Sequence, residues 1–492
     1  MERTAPIVVI GAGFSGLCAA IRLKQAGFEN FTVLEQADDL GGTWRDNTYP
    51  GAACDVPSHL YSYSFAPNHR WRRWFAGQSE IHGYLRRTAE EYGIVGHIRF
   101  GCRVNGVRYR DDQGRWEITT DAGEKSYALA VVACAGALSV PSSPDITGRD
   151  AFAGNVFHSS NWDHSIDLDG KSVAIVGTGA STVQFLPPVV RRAAEVTVFQ
   201  RTPTWVLPKP ERTIPPALGQ VFGRLPWLQR VVRTAVFVER EVQAAGFALT
   251  PLADRWRARR ARKHLAARIA DHDLRAKLTP DHTVGCNRRI PLSNDYYPAL
   301  ASPNVTLVTE SPAEVRERSV VCGDGREYPA DVIIFGTGFR PGAAIAAMNI
   351  TGRGGITLAS SWDRGPEAHL GMMIPRFPNL FLIFGPNAGL QHNSIVFMIE
   401  RQISYVIECL SLLDGESPAA LEVRPSAMAA SLSKMRARRR RSAWAGCETR
   451  FLDPEGVNRT LWPGFAFEYW LATRRVRRAD FELVESESIV HS

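Results

Sequence analysis

The sequence predicts an α/β chain with two dinucleotide-binding, Rossmann-like modules, the first interrupted by the second, and a helical insertion within the second. Three observations predict it. An apolar strand-like run, a glycine turn and an amphipathic helix appear in that order at residues 7–27 and return at 172–190, each time as the opening of a βαβ unit. Each unit is followed by a further apolar run and small-residue turn, LAVVACAG at 129–136 and DVIIFGTGF at 331–339. Residues 206–285 are rich in Arg, Ala and Leu and read as helices.

Size and composition agree with more than one core. A chain of 492 residues exceeds one ordinary domain, and 45% hydrophobic with 22% charged residues is a globular composition. No window reaches the ~18 uninterrupted apolar residues of a membrane helix. The apolar run from Ile7 leaves no room for a signal peptide, so a cytoplasmic location is expected. Cys18, Cys54, Cys102, Cys134, Cys286, Cys322, Cys409 and Cys447 are scattered, with no CxxC and no Cys/His cluster. That argues against zinc and a disulfide framework and for reduced structural thiols. The net charge of +8 comes largely from arginine, concentrated at 255–268 and 435–441. With no nucleic-acid-binding fold beside it, this charge reads as solvated helix faces or attraction for a polyanionic cofactor.

In chain order, IVVI (7–10) is a buried strand, GAGFSG (11–16) a turn, LCAAIRLKQAG (17–27) a helix and FTVLE (31–35) a second strand. Gly11 permits the tight turn, Gly13 lets a pyrophosphate approach the backbone, and Gly16 lets helix pack on strand; the helix N-terminus then offers amides to phosphate. Glu35 follows Gly16 by 19 residues, where a carboxylate accepts both ribose hydroxyls of an adenine nucleotide. The next stretch, GGTWRDNTYPGAACDVPSHLYSYSF (41–65), brings Gly41 and Gly42 for a second close backbone approach. Trp44 and Tyr61 are flat surfaces for a ring, and Asp55 either caps a turn or takes part in chemistry.

FAGNVFHSSNWD (152–163) has neither helical nor strand period and stands between the two modules. The second module, 172–201, carries Gly177 and Gly179 but has Thr182 where a third small residue is usual, which predicts a helix packed slightly further from its strand. Its second strand ends in Gln200-Arg201-Thr202. An acid there would repel a 2'-phosphate, whereas Arg201 and Thr202 can bind one, so NADPH is expected over NADH. With the runs at 129–136 and 331–339 read as crossings, the first domain comprises 1–145 and 326–492. The second comprises 146–325, with its insertion at about 206–285. The candidate nucleotide-binding set is Gly11, Gly13, Ser15, Gly16, Glu35, Gly42, Thr43, Trp44, Asp55, Tyr61 and Val104 in the first module. In the second it is Gly177, Thr178, Gly179, Ser181, Arg201 and Thr202, with His158 between the two; no metal site is expected.

These motifs, in this order over essentially the whole chain, resemble the type I Baeyer-Villiger monooxygenases of the class B flavin-dependent monooxygenase superfamily. The likeness is carried by GAGFSG, Glu35, GGTW, YPGAACDVPSHLYSYSF, GTGAST, QRTPTWVLP (200–208), GCNRRIPLSNDYYPAL (285–300), GTGF (336–339) and FPNLFLIFGPNAGLQHNS (377–394). FAGNVFHSSNWD matches the fingerprint FxGxxxHxxxW(P/D) at Phe152, Gly154, His158, Trp162 and Asp163.

The resemblance implies FAD in the first module, NADPH in the second, and conversion of a ketone to an ester or lactone by O2 through a C4a-peroxyflavin. It implies that Arg288 faces the flavin and nicotinamide and that Asp55 pairs with it, a permanently charged guanidinium steadied by a carboxylate. His158 reads as a hinge residue that orients NADPH and not as a general base. Three departures stand out. Asn287 replaces a lysine that the family generally turns toward the 2'-phosphate, which leaves more to Arg201. ACAG (133–136) replaces the usual alanine-threonine-glycine. Ala53 replaces an arginine of many cyclic-ketone members, which admits open-chain or aryl ketones as readily as cyclic ones. N- or S-oxygenation on the same fold, and flavin reduction without oxygenation, are the competing readings.

Overall fold

The computed structural model describes residues 6–248, 251–284, 290–413, 419–440 and 457–485. Its first sheet is parallel throughout and runs in space Leu380–Leu382, Ala130–Ala133, Ile7–Ile10, Phe31–Leu34, Ile98–Arg99. All four residues of both Ile7–Ile10 and Ala130–Ala133 are buried, as expected of strands covered on both faces. On one face, Leu17 and Ile21 of the helix Phe14–Gln25 join Ile399, Ile403 and Val406 of the helix Ile395–Ser411 in one core. The other face packs on an antiparallel layer, Val104–Arg110, Arg115–Thr120 and Lys125–Ala128, through residues such as Trp116 and Ile118.

The second sheet repeats the plan, in the order Val305–Val308, Glu195–Phe199, Ser172–Val176, Val332–Phe335, Asn155–His158, again all parallel. Here one expectation is corrected. The Val332–Phe335 strand lies inside this sheet, between Ser172–Val176 and Asn155–His158, so the second module extends past residue 335 and does not end at 325. The reason is the repeat itself: Val332–Phe335 flanks Ser172–Val176 as Ala130–Ala133 flanks Ile7–Ile10. Each apolar run closes its own module, and the chain crosses over only afterwards. The segment before it, Pro312–Arg316, Ser319–Cys322 and Glu327–Pro329, forms a small antiparallel sheet.

The insertion is helical, with Pro216–Arg224, Pro226–Ala248, Pro251–Arg268 and His272–Leu278. Although it is inserted within the second module in sequence, its long helix packs on the first domain. Arg233 Nη1 donates to the carbonyls of His59 at 2.8 Å, Ser62 at 3.0 Å and Leu60 at 3.3 Å. Gln229 Nε2 donates to the Asn68 carbonyl at 2.7 Å and to His59 Nδ1 at 3.2 Å. Further along, Glu241 accepts from Asn393 Nδ2 at 2.7 Å and from the Phe467 amide at 3.2 Å, and meets His392 Nε2 at 3.2 Å. Among the described residues no helix is long and apolar enough to cross a membrane.

The docking of the long helix makes His59 a titrating support. Burial, and next the Arg233 charge, push its ring down to about 4. A histidine unfolds to a pKa of about 6.5, so between those values the unfolded chain binds more protons than the folded one. The contribution to stability, about 3 kcal/mol, is complete above about pH 6.5 and is lost as pH falls through about 4. Urea midpoints measured at neutral pH and near pH 4.5 should therefore fall, and His59→Gln, which has no titrating ring, should flatten that fall.

Candidate active site

Both glycine loops are built on the same close approach. Gly11 has φ +99°, and a Cβ there would lie 2.7 Å from the Cys134 carbonyl oxygen, just past the Ala130–Ala133 strand. Gly177 has φ +104°, and its Cβ would lie 2.8 Å from the carbonyl oxygen of Gly336, just past Val332–Phe335. Left-handed backbone and a facing carbonyl together require glycine at both places. Gly16 serves the packing of the helix, since any side chain there would overlap the Gly11 carbonyl. In the second module the fully buried Thr182 occupies the corresponding position, and its room comes from across the loop: a Cβ on Gly336 would overlap Thr182 Oγ1.

The loops open into one cleft of about 1750 Å³ between the modules. It is lined by Gly11, Gly13, Ser15, Glu35, Gly42, Thr43, Trp44, Asp55, Tyr61 and Val104 from the first module. Gly177, Thr178, Gly179, Ser181, Arg201 and Thr202 line it from the second. Gly13 and Gly42 face each other, a Cβ on Gly42 (φ +51°) falling 3.2 Å from the Gly13 Cα. Two backbone segments bare of side chains thus converge at the N-terminus of the helix Phe14–Gln25, a cradle suited to a pyrophosphate. Gly179 caps the helix Ala180–Val190 in the same way.

Glu35 is buried at the end of the second strand, and its carboxylate is held in place by three donors. It accepts from the Ala12 amide at 2.7 Å, the Ala37 amide at 3.0 Å and Arg45 Nη1 at 2.9 Å. Arg45 also bonds Asp46 at 2.7 Å and the Asp39 carbonyl at 2.6 Å. Trp44 Nε1 donates to Tyr61 Oη at 3.0 Å, so the two rings form one wall. Asp55 is half-buried on the cleft, close enough that its charge, after burial, raises the pKa of the Tyr49 hydroxyl. Arg288, with Asn287 and Arg289, lies outside the described residues.

His158 is not on the cleft wall. It ends the Asn155–His158 strand, where its Nδ1 accepts from the Ser160 amide at 3.1 Å and pairs with Ser160 Oγ at 2.8 Å; its ring stands edge-on to Phe339 at 5.6 Å. Burial lowers its pKa, opposed by the Gly338 backbone. With Nδ1 accepting, the neutral ring carries its proton on Nε2. The rest of its motif is structural in the same sense. A Cβ on Gly154 would overlap the Asp331 carbonyl. Trp162 packs on Phe157 and Phe185, at 5.2 and 5.3 Å between centroids, and Asp163 accepts from the Ser165 amide and hydroxyl at 2.9 and 2.6 Å.

Among the cleft residues that sequence reasoning passed over are Arg45, Tyr49, Gln184 and Phe384. Phe384 has φ +60°, its amide held by Gln402 Oε1 at 2.8 Å. Of these four, only Gln184 left a local signal, a lone amide in the apolar run Val183-Gln184-Phe185-Leu186.

Two nucleotide cradles opening on one cleft define a two-dinucleotide oxidoreductase, and the relatives narrow the class. A family model described as flavin-binding monooxygenase-like matches residues 4–343, and the chain belongs to that family. A Baeyer-Villiger monooxygenase of Streptomyces coelicolor is 44% identical over 483 residues, covering 97% of this chain and 92% of that protein. One of Pseudomonas aeruginosa is 42% identical over 484 residues, covering 98% and 92%. Among solved structures, OTEMO in complex with FAD and NADP aligns with a TM-score of 0.88 at 27% identity, over 98% of this chain and 100% of that one. A steroid monooxygenase bound to NADP aligns at 0.87 with 28% identity, over 98% and 99%. The activity of this chain is Baeyer-Villiger oxygenation.

The Thr182–Gly336 fit is directly testable. Gly336→Ala should destabilise the protein by about 1–3 kcal/mol through overpacking, and Thr182→Ala in the same chain should recover most of that loss. Melting temperatures of the two single variants and the double variant decide it.

Proposed function

We propose that the cleft holds FAD along the first module and NADPH along the second, and that the protein inserts one atom of O2 into an uncharged ketone to give an ester or lactone. NADPH provides two electrons, and the other oxygen atom leaves as water. The observation that carries the reading is the single cleft shared by both glycine loops, with Asp55 on its wall. Bound flavin supplies the electron transfer and oxygen activation that amino-acid side chains lack.

The chain's own residues bind, orient and exclude water. Glu35, already oriented by two amides and Arg45, accepts the ribose hydroxyls of one nucleotide. Arg201 and Thr202, exposed at the matching strand end of the second module, take the 2'-phosphate of the other. Arg288 is the cation for the negative charge that develops on activated oxygen, and Asp55 keeps its fork in orientation. In the chain Arg288 stands between His282 and Pro291, both of which line the cleft. Phe384, Leu390, Ile395 and Ile399 give the cleft an apolar stretch of wall, which limits access of water to the reacting centre. Ala53, also on the cleft, has little bulk and no charge, which suits open-chain or aryl ketones.

Two outcomes are expected. With isotopically labelled oxygen gas, the ester should carry one labelled atom, and Asp55→Ala should retain FAD but lose about a hundredfold in kcat; an unlabelled product would remove oxygenation, and full turnover by the variant would remove Asp55 from the site. Arg201→Ala should raise KM for NADPH by about tenfold to a hundredfold, the value of a charge-assisted contact, while steady-state rates with NADH stay nearly unchanged.

A further inference from the structure

Gln184 lies on the second module's helix, Ala180–Val190, but its side chain bonds to the first domain. Oε1 accepts from Tyr49 Oη at 3.0 Å and from the Ala53 amide at 3.2 Å, and Nε2 donates to the Ala53 carbonyl at 3.0 Å. One primary amide thus holds both backbone groups of a residue 131 positions away, as a paired strand would. The backbones approach as well: Gly51 has φ +86°, and a Cβ there would lie 2.6 Å from the Gln184 carbonyl oxygen. The Tyr49 ring packs into the second module's core, 6.0 Å from Phe185. The segment 49–53 is therefore fastened to this helix by side chain, backbone and ring.

The two ends of the connection matter. Gln184 lies five residues after Gly179, which caps the N-terminus of its helix at the second glycine loop. Ala53 lies two residues before Asp55. A helix is a rigid element on this scale, and a pyrophosphate at its N-terminus fixes where it sits. We propose that Gln184 is a positioning residue that couples occupancy of the second nucleotide site to the placement of Asp55, through the Ala53 backbone. This rests on Asp55 acting in the site as described under the proposed function.

The test uses the FAD-loaded protein and Gln184→Met, which matches the length of the side chain and removes its hydrogen bonds. In the unaltered protein, NADP+ should slow amide hydrogen exchange across residues 49–56 by about tenfold or more. In Q184M the slowing should vanish, with FAD content retained and NADP+ affinity within about threefold, while kcat falls about tenfold to a hundredfold and KM for NADPH holds. Q184E, which keeps the acceptor and loses the donor to Ala53, should fall between. If Q184M does not accumulate as folded protein, Q184E and Tyr49→Phe are read by the same signals. The proposal is overturned if Q184M keeps the slowing or its full kcat, or if it loses FAD, NADP+ affinity and thermal stability together, the mark of a general packing contact. The exchange measurement needs no turnover, so absence of ester from the unaltered protein would sink the reaction assignment and leave this coupling to be judged by exchange alone.

Discussion

Backbone must meet backbone where three parallel strands end side by side, and both nucleotide cradles depend on that contact. At the first it is Gly11 against the Cys134 carbonyl, at the second Gly177 against the Gly336 carbonyl. A Cβ at either glycine would push the loop off the sheet and carry the following helix N-terminus away from the crevice. With the loops held down, Gly13 and Gly179 stand at the N-termini of their helices, and the crevice at the carboxyl ends of the strands gains its amides and its positive dipole ends. The residue past the second strand then distinguishes the modules. Glu35 brings negative charge in one, and the Gln200-Arg201 pair brings positive charge in the other, so one backbone plan presents opposite charge at matching places.

Two good cradles do not make a reaction site until they face each other. The contacts that bring this about are polar and far apart in sequence: the part-buried bonds of Gln184 to Ala53 and of Arg233 to three carbonyls of the segment 59–62, and the exposed bond of His164 Nε2 to Thr48 Oγ1 at 2.9 Å. Buried polar groups are costly to leave unpaired, so the Gln184 and Arg233 contacts each specify one arrangement strongly. All three converge on residues 48–62, the stretch that carries Asp55. The insertion is accordingly shared by contact: its long helix Pro226–Ala248 lies against the first domain, whereas Leu265 and Leu278 of the helices after it, and Ile269 between them, sit in the core of the second module.

What could be read before the fold was known follows the range of the interaction. The two loops, their helices, Glu35 and Arg201 rest on patterns within thirty or so residues, and all of them fall where that pattern puts them. The end of the second module was misplaced because an apolar run before a small-residue turn looks the same whether it closes a sheet or leaves it; only the pairing of Val332 with Val173 and Asn155 distinguishes the two. Gln184 was passed over because its partner is 131 residues away. The room for Thr182 was invisible for the same reason, since it is made by the absent side chain of Gly336. Arg288 rests on resemblance alone: one arginine beside another has no local pattern that singles it out.

The fingerprint Phe152 to Asp163 shows how a diagnostic motif can stand apart from the cleft it reports on. His158 pairs in register with Phe335, and the next residue, Gly336, is the one whose carbonyl seats Gly177. The histidine ring rests on Phe339, at the far end of the same turn, and Gly336, Thr337, Gly338 and Phe339 line the cleft. His158 is thus joined to the second glycine loop through this turn, by its strand pairing and by its ring contact. Its lowered pKa fits that position: a neutral ring packs against a turn without bringing charge beside the cleft, whereas an imidazolium there would have to be solvated at the expense of the packing that holds the loop down.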